Sequence, residues 1–174
     1  MLPYPAPFQP PIAAVHTAQF GFGGVRIGAA LAEFRRAFPN AACTASGRAG
    51  LDCRLSDQPL GGGYYARDLT YRFVDGRLTA IQFHTSIDAF AFAVAKLKHE
   101  FGAPADIRRN TATLYGYAFP HVTFTWRNGR STIVLSDPSE PNRLSVTMSL
   151  NTGRAPEAHD RPVAATTTDR TVTP

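Results

Sequence analysis

Leu144, Val146, Met148 and Leu150 alternate without a break with Ser145, Thr147 and Ser149. A strand with this pattern has one apolar and one polar face. The chain repeats the pattern several times. Leu69, Tyr71 and Phe73 alternate with Thr70 and Arg72, and Ile81 and Phe83 share one face of the run 78–85. Val122, Phe124 and Trp126 alternate with Thr123 and Thr125, and Ile133 and Leu135 share one face of the run 132–136. Asp75-Gly76 and Asn128-Gly129 join successive runs as hairpins. Strands of this kind form an antiparallel sheet with one wet face and one covered face, so the chain must also supply a cover.

Two helical stripes do so. Ile27, Leu31, Phe34 and Phe38 are spaced by 4, 3 and 4, on a helix with Gly28 near its start and Pro39-Asn40 as its stop. Phe90, Val94, Leu97 and Phe101 repeat that spacing on a second helix over 88–101. Ser86 or Asp88 can cap its start, and Gly102-Ala103-Pro104 ends it. The four pairs stand 63 residues apart, whereas the two hairpin signals stand 53 apart. Leu51 to Leu55 and Thr111 to Tyr117 read as short strands. Gln58-Pro59 with Gly61-Gly62-Gly63 reads as a loop, and Arg108-Arg109-Asn110 as a polar linker.

The expected fold class is α+β: two amphipathic helices packed on one face of an antiparallel sheet, in duplicated αβββ units. The expected core is Ile27, Leu31, Phe34, Phe38, Phe90, Val94, Leu97, Phe101, Phe124 and Trp126. The expected organisation is a flexible Pro-rich segment 1–21, one domain over 22–150 with halves 22–86 and 87–150, and a flexible polar tail 151–174.

Charge narrows the class of partner. Lys+Arg is 18 against Asp+Glu 13, a net charge of +5, but the cations are scattered among acids. A nucleic-acid footprint is a concentrated stripe or patch, so no specific nucleic-acid partner is expected. With 44% hydrophobic and 18% charged residues, the chain can build a core and is no charge-rich disordered polymer. No apolar run approaches the roughly 20 residues of a membrane-spanning helix.

Cys43 and Cys53 are the two cysteines, and their spacing of ten is not that of a Cys-x-x-Cys redox or zinc pair. They are a candidate disulfide across a glycine-bearing loop, the alternative being two buried thiols. A disulfide would indicate a periplasmic or exported protein. The visible N-terminus carries no export signal. Pro3, Pro5, Pro7, Pro10 and Pro11 interrupt it, and no Lys or Arg precedes Arg26. With thiols instead, the reading is cytoplasmic.

The chemistry-bearing motifs fail one by one. Gly23 and Gly28 have phosphate-loop spacing, but Ala29-Ala30 replaces the Lys-Ser/Thr pair that grips phosphate. Arg26 occupies the third glycine position of a dinucleotide fingerprint. No Gly-x-Ser-x-Gly elbow occurs, and no Cys/His cluster implies a metal, so neither catalytic residues nor a cofactor are expected. What remains is the polar side of the sheet. Arg72, Gln82, His84, Thr123, Thr125 and Thr147 are the candidate binding residues there.

The segments from Val25-Arg26-Ile27-Gly28 to Phe38-Pro39, from Tyr71 to Leu78, and from Phe90 to Phe101-Gly102-Ala103-Pro104 carry a family likeness. A repeated helix-then-strands unit with a cysteine after the first helix resembles the β-lactamase-inhibitor-protein-like fold. It also resembles the small envelope lipoproteins of the SmpA/OmlA type, which carry one such unit. The likeness spans about residues 22–150. It implies a non-enzymatic binding or envelope-assembly module of a bacterium, with a protein partner. Two rivals make different demands. A small cytoplasmic enzyme needs a pocket between sheet and helices with His84 or His121 facing in, the two on neighbouring strands. A weak nucleic-acid binder would use Arg67, Arg72, Arg127 and Arg130, and would lose affinity steeply with salt.

Overall fold

The computed structural model describes residues 19–114, 116–140 and 143–150. The expected N-terminal segment, apart from residues 19–21, and the expected tail lie outside them. The fold is α+β. A short hairpin, β1 (Gly21–Phe22) and β2 (Val25–Arg26), leads into helix α1 (Leu31–Ala37). Then come β3 (Ala42–Ser46), β4 (Gly50–Arg54), β5 (Gln58–Gly61), β6 (Tyr64–Val74) and β7 (Arg77–Ser86). A single 3-10 turn, Ile87–Ala89, opens helix α2 (Phe90–Phe101). The chain continues through β8 (Asp106–Leu114), β9 (Tyr117–Asn128), β10 (Ser131–Glu140) and β11 (Arg143–Leu150).

Among the described residues one nine-stranded antiparallel sheet contains every strand after α1. Its order is β3-β4-β6-β7-β11-β10-β9-β8, with β5 paired to β6. Each helix is followed by a meander, and the last strands of the two meanders, β7 and β11, pair at the centre. Each meander has four strands along the sheet path, where three were expected in the first half and three or four in the second, with β5 added in the first. The two tight turns sit at different joints. Val74 and Arg77 close around Asp75-Gly76 between the third and fourth strands of the first meander. Asn128 and Ser131 close around Gly129-Arg130 between the second and third strands of the other.

Directly opposed residues of antiparallel strands share a face, so the register reads out whole rows. Cys43, Cys53, Tyr71, Ile81, Met148, Ile133 and Trp126 stand opposite one another in turn across seven strands. All but Cys43 are buried. Phe83, Val146, Leu135 and Phe124 form the next row on the same face, also buried. The Phe34 ring of α1 packs on Tyr71 and Phe73 at 4.9 and 5.2 Å, and Phe90 of α2 packs on Phe124 at 5.7 Å. Phe20 meets Phe101 edge-on at 4.8 Å. Tyr71 donates its hydroxyl to Phe22 O at 3.0 Å, and burial raises its phenol above the ordinary range.

The helix starts differ from the periodicity. The first helix begins at Leu31 rather than near Ile27, because Gly28 takes φ +89° and the N–H of Gly28 bonds Leu78 O at 2.8 Å. Ile27 is still buried, but from the turn between β2 and the helix, which the Ala29 N–H closes on Arg26 O at 3.0 Å. No side chain caps α1. The Leu31 N–H instead donates to Gly76 O at 2.9 Å, so the β6–β7 turn satisfies one of the helix's free donors. Glu33 in its first turn and Arg35 and Arg36 in its last oppose the helix dipole. The second helix follows the sequence closely. Ser86 Oγ accepts the Asp88 N–H at 3.3 Å, Leu97 is buried, and the Gly102 N–H closes the last turn on Lys98 O at 2.9 Å.

Candidate functional site

The face opposite the buried rows is built from the alternate residues of the same strands. Its register gives three rows. The first runs Asp52, Arg72, Ala80, Ser149, Thr132, Arg127. The second runs Arg54, Thr70, Gln82, Thr147, Val134, Thr125, Asp106. The third runs Arg67, His84, Ser145, Ser136, Thr123, Arg108. Consecutive rows lie about 7 Å apart, two residues of rise.

All six candidate residues fall in these rows. Arg72 is in the first, Gln82, Thr147 and Thr125 share the second, and His84 and Thr123 share the third. Arg72 and Gln82 are exposed, Thr125 is buried, and the other three are half-buried. Period-two alternation was the signal for all of them, and it carries over because the pairing in these rows is unbroken on β7, β11, β10 and β9.

Charge is distributed unevenly over the face. On the three central strands, β7, β11 and β10, the rows hold Ser136, Ser145, Ser149, Thr132 and Thr147 with Gln82, His84, Ala80 and Val134, and no carboxylate. Arginines stand on both flanks. Arg67 and Arg72 on β6 are separated from Arg127 on β9 by four strand spacings, roughly 19 Å. The Arg72 guanidinium makes a two-pronged contact with Asp52, Nε to Oδ1 at 2.9 Å and Nη2 to Oδ2 at 3.0 Å. That hydrogen bonding holds the Asp52 carboxyl below the ordinary range. Arg67 reaches Asp57 at 3.8 Å, and Arg108 binds Asp106 at 2.8 Å.

The histidines do not form the expected pair. His84 on β7 and His121 on β9 have β11 and β10 between them, because β7 pairs with β11 and not with β9. His121 Nε2 lies 3.2 Å from Thr123 Oγ1. His84 Nδ1 is shielded from solvent and has no hydrogen-bond partner. Both rings alternate onto the open face, away from the apolar rows. An open groove of about 800 Å³ lies elsewhere, between the β1–β2 hairpin, β5 and α2. Phe22, Arg26, Leu60, Lys96, His99 and Phe101 line it, and neither His84 nor His121 does. Of the arginines suited to nucleic acid, Arg67, Arg72 and Arg127 share the open face and Arg130 lies in the β9–β10 turn.

Cys43 and Cys53 are directly opposed on β3 and β4 and are joined as a disulfide, with Cα atoms 4.0 Å apart. Among the described residues no three of His, Cys, Asp or Glu gather as a metal site, and no helix is long and apolar enough to cross a membrane. Sequence reasoning caught only the last residues of β8, within the expected strand Thr111 to Tyr117, and missed its first half. Arg108-Arg109-Asn110 is the middle of an edge strand paired to Thr123, Val122 and His121, not a linker. Against family models, curated proteins and solved structures, the chain matches none.

Proposed function

We propose that the protein is a non-enzymatic binding module of the bacterial envelope that holds a protein partner on the open face of its sheet. The observation that carries this reading is the row structure of that face. Six polar candidates from β6, β7, β9 and β11 lie on one continuous surface, with an uncharged hydroxyl floor and arginines on both flanks. Hydroxyls and amides bond a partner at little desolvation cost. Flanking charges favour register and encounter over raw affinity.

We also infer that the two halves are copies of one helix-plus-meander unit, with both helices on one face. The mirrored strand order about β7 and β11 supports the duplication. The contacts of Phe34 with Tyr71 and of Phe90 with Phe124, residues of adjoining rows, support the shared face. The repeated unit is also the basis of the likeness we infer to the β-lactamase-inhibitor-protein-like and SmpA/OmlA-like proteins. The Cys43–Cys53 bond supports an oxidising compartment.

The test places carboxylates in the floor. Gln82→Glu with Thr147→Glu changes two facing positions and leaves the apolar rows alone. An envelope partner captured by the native protein, purified and re-bound in isolation at a temperature where both forms are folded, should lose affinity for the variant. Equal binding to both forms, or no envelope protein bound by the native form, overturns the reading.

A further inference from the structure

The sheet path ends on β8, and no strand lies beyond it among the described residues. β8 is nine residues long, against five for β3 at the opposite end. Its residues 107–111 are all exposed. An edge strand turns the N–H and C=O groups of alternate residues outward, where another strand can pair with them.

Two features say what kind of strand would fit. The first is charge. Arg108 stands opposite Thr123 and so faces the open side, while Arg109 stands opposite Val122 and faces the other. Adjacent positions thus put one guanidinium on each side of the edge. Asp106 is the only carboxylate of β8, and Arg108 already holds it at 2.8 Å. Arg109 has no ion pair among the described residues. The second is an unsupported extension. β10 follows β9 only as far as Val122, so the pairs from Asn110–His121 to Leu114–Tyr117 form a two-stranded ribbon past the sheet. A two-stranded ribbon is marginal alone, and a third strand changes that. Ile107 beside Arg109 is 40% exposed, and Tyr117 at the ribbon's end is 78% exposed, so apolar contact surface is also at hand.

We propose that β8 is a strand-addition edge that takes an extended segment of a partner protein carrying two adjacent carboxylates, one for Arg108 and one for Arg109. The proposal rests on the binding-module reading but places this contact at the sheet's edge, not on its floor. A polypeptide is favoured over a nucleic acid because phosphates would meet the arginines yet leave the edge amides and carbonyls unpaired. A second copy of this chain is disfavoured, since edge-to-edge pairing would gather both copies' arginine pairs along one seam between chains of net charge +5.

The test uses two synthetic peptides, Thr-Val-Thr-Glu-Glu-Thr-Val-Thr and the same sequence with Lys-Lys at its centre, added to the full chain up to millimolar concentration. Amide hydrogen exchange is followed residue by residue. The acidic peptide should slow exchange at outward amides of β8 and bind roughly tenfold more tightly than the basic one. The double variant Arg108→Glu/Arg109→Glu, checked for an unchanged melting curve, should reverse that preference. The Gln82→Glu/Thr147→Glu variant should bind the acidic peptide as the native chain does, which separates failure at the edge from failure of the floor. No protection of β8 by either peptide overturns the proposal and leaves the arginines as guards against aggregation. Equal binding of both peptides overturns it as well. So does an oligothymidylate that binds more tightly than the acidic peptide without protecting β8.

Discussion

Trp126 donates its indole N–H to the carbonyl of Gly102 at 3.0 Å, tying the last residues of β9 to the residue that ends α2. The contact satisfies the one polar atom of a fully buried side chain and holds the last turn of the helix against the sheet. Trp126→Phe keeps an aromatic ring but orphans the Gly102 carbonyl. It should cost about 1–3 kcal/mol in denaturant unfolding, with faster amide exchange at Gly102 before any other residue of α2. A loss spread evenly over α2 and the sheet would mean that ring volume, not the hydrogen bond, is the cause.

Gly61 and Gly62 explain a glycine run that the sequence marks only as a loop. Both have positive φ, +97° and +60°, and both lie under the ring of Phe92. A Cβ on Gly62 would stand 3.0 Å from Phe92 Cε2. Phe92 also packs on Tyr64 at 5.5 Å, and the Tyr64 hydroxyl donates to Asp88 O at 3.2 Å, so this turn joins β6 to the start of α2. Gly62→Ala should destabilise by about 1–2 kcal/mol, from the left-handed backbone and the crowded ring together. In a Phe92→Leu background part of that cost should vanish. A cost that stays the same would assign all of it to the backbone.

The strands that could be read in advance are those with one wet and one dry face. β6, β7, β9, β10 and β11 all show it, and the same alternation placed Arg72, Gln82, His84, Thr123, Thr125 and Thr147 on one side. The first half of β8 was illegible for a physical reason. Both of its faces reach solvent, so Arg108 and Arg109 follow one another and no period-two signal survives. β5 was hidden by Pro59, which cannot donate to a ladder and suits only a short marginal strand. The start of α1 was misplaced because Ile27 is buried from a turn that precedes the helix, and burial at helical spacing looks the same from either. The separation of His84 from His121 depends on β7 pairing with β11, and no local pattern encodes such a long-range partner.

The Arg72–Asp52 contact predicts an acid-dependent stability increment. Hydrogen bonding from Arg72 lowers the folded Asp52 carboxyl below its ordinary value of 3.8. The contribution is therefore fully present above that value and is lost as pH falls through the lower folded one. Because the Arg72 side chain is 52% exposed, the increment at neutral pH should not exceed about 1 kcal/mol. Unfolding curves of native protein and Arg72→Ala should differ at neutral pH and converge in strong acid. Parallel curves down to the acid limit would contradict the assignment.

Asp137 should behave in the opposite sense. It stands opposite Val122, on the apolar side of β10, and its Oδ1 is buried without a partner. Burial raises its carboxyl above the ordinary range, against a smaller opposing pull from His121. A raised carboxyl costs stability as pH climbs from the unfolded value through the folded one. Asp137→Asn removes the charge, so it should stabilise the protein modestly at neutral pH, by less than about 1 kcal/mol because solvent screens the half-buried group. The gain should fade below the ordinary carboxylate range, where the native Asp137 is already neutral. A stabilisation that persists unchanged in acid would point to packing rather than charge.

The Cys43–Cys53 bond ties the outermost strand, β3, to β4. β3 is only five residues long and pairs on one side alone among the described residues, so its own ladder holds it weakly, while Cys53 continues the buried row that runs to Trp126. Breaking the bond releases the closure constraint on a short loop of the unfolded chain, worth roughly 2.5–3 kcal/mol in the chain-entropy model. It also frees β3 to fray. Cys43→Ala/Cys53→Ala, or full reduction with alkylation, should therefore lower global stability by about that amount. Amide exchange in Ala42–Ser46 should rise far above the change at β7 and β11. Removing Cys43 alone leaves a buried thiol at Cys53 in the apolar row and should cost nearly as much as the double variant, because the cross-link is lost in either case. A fall in global stability without selective exposure of β3 would show that the bond acts on the unfolded chain only and does not hold the edge.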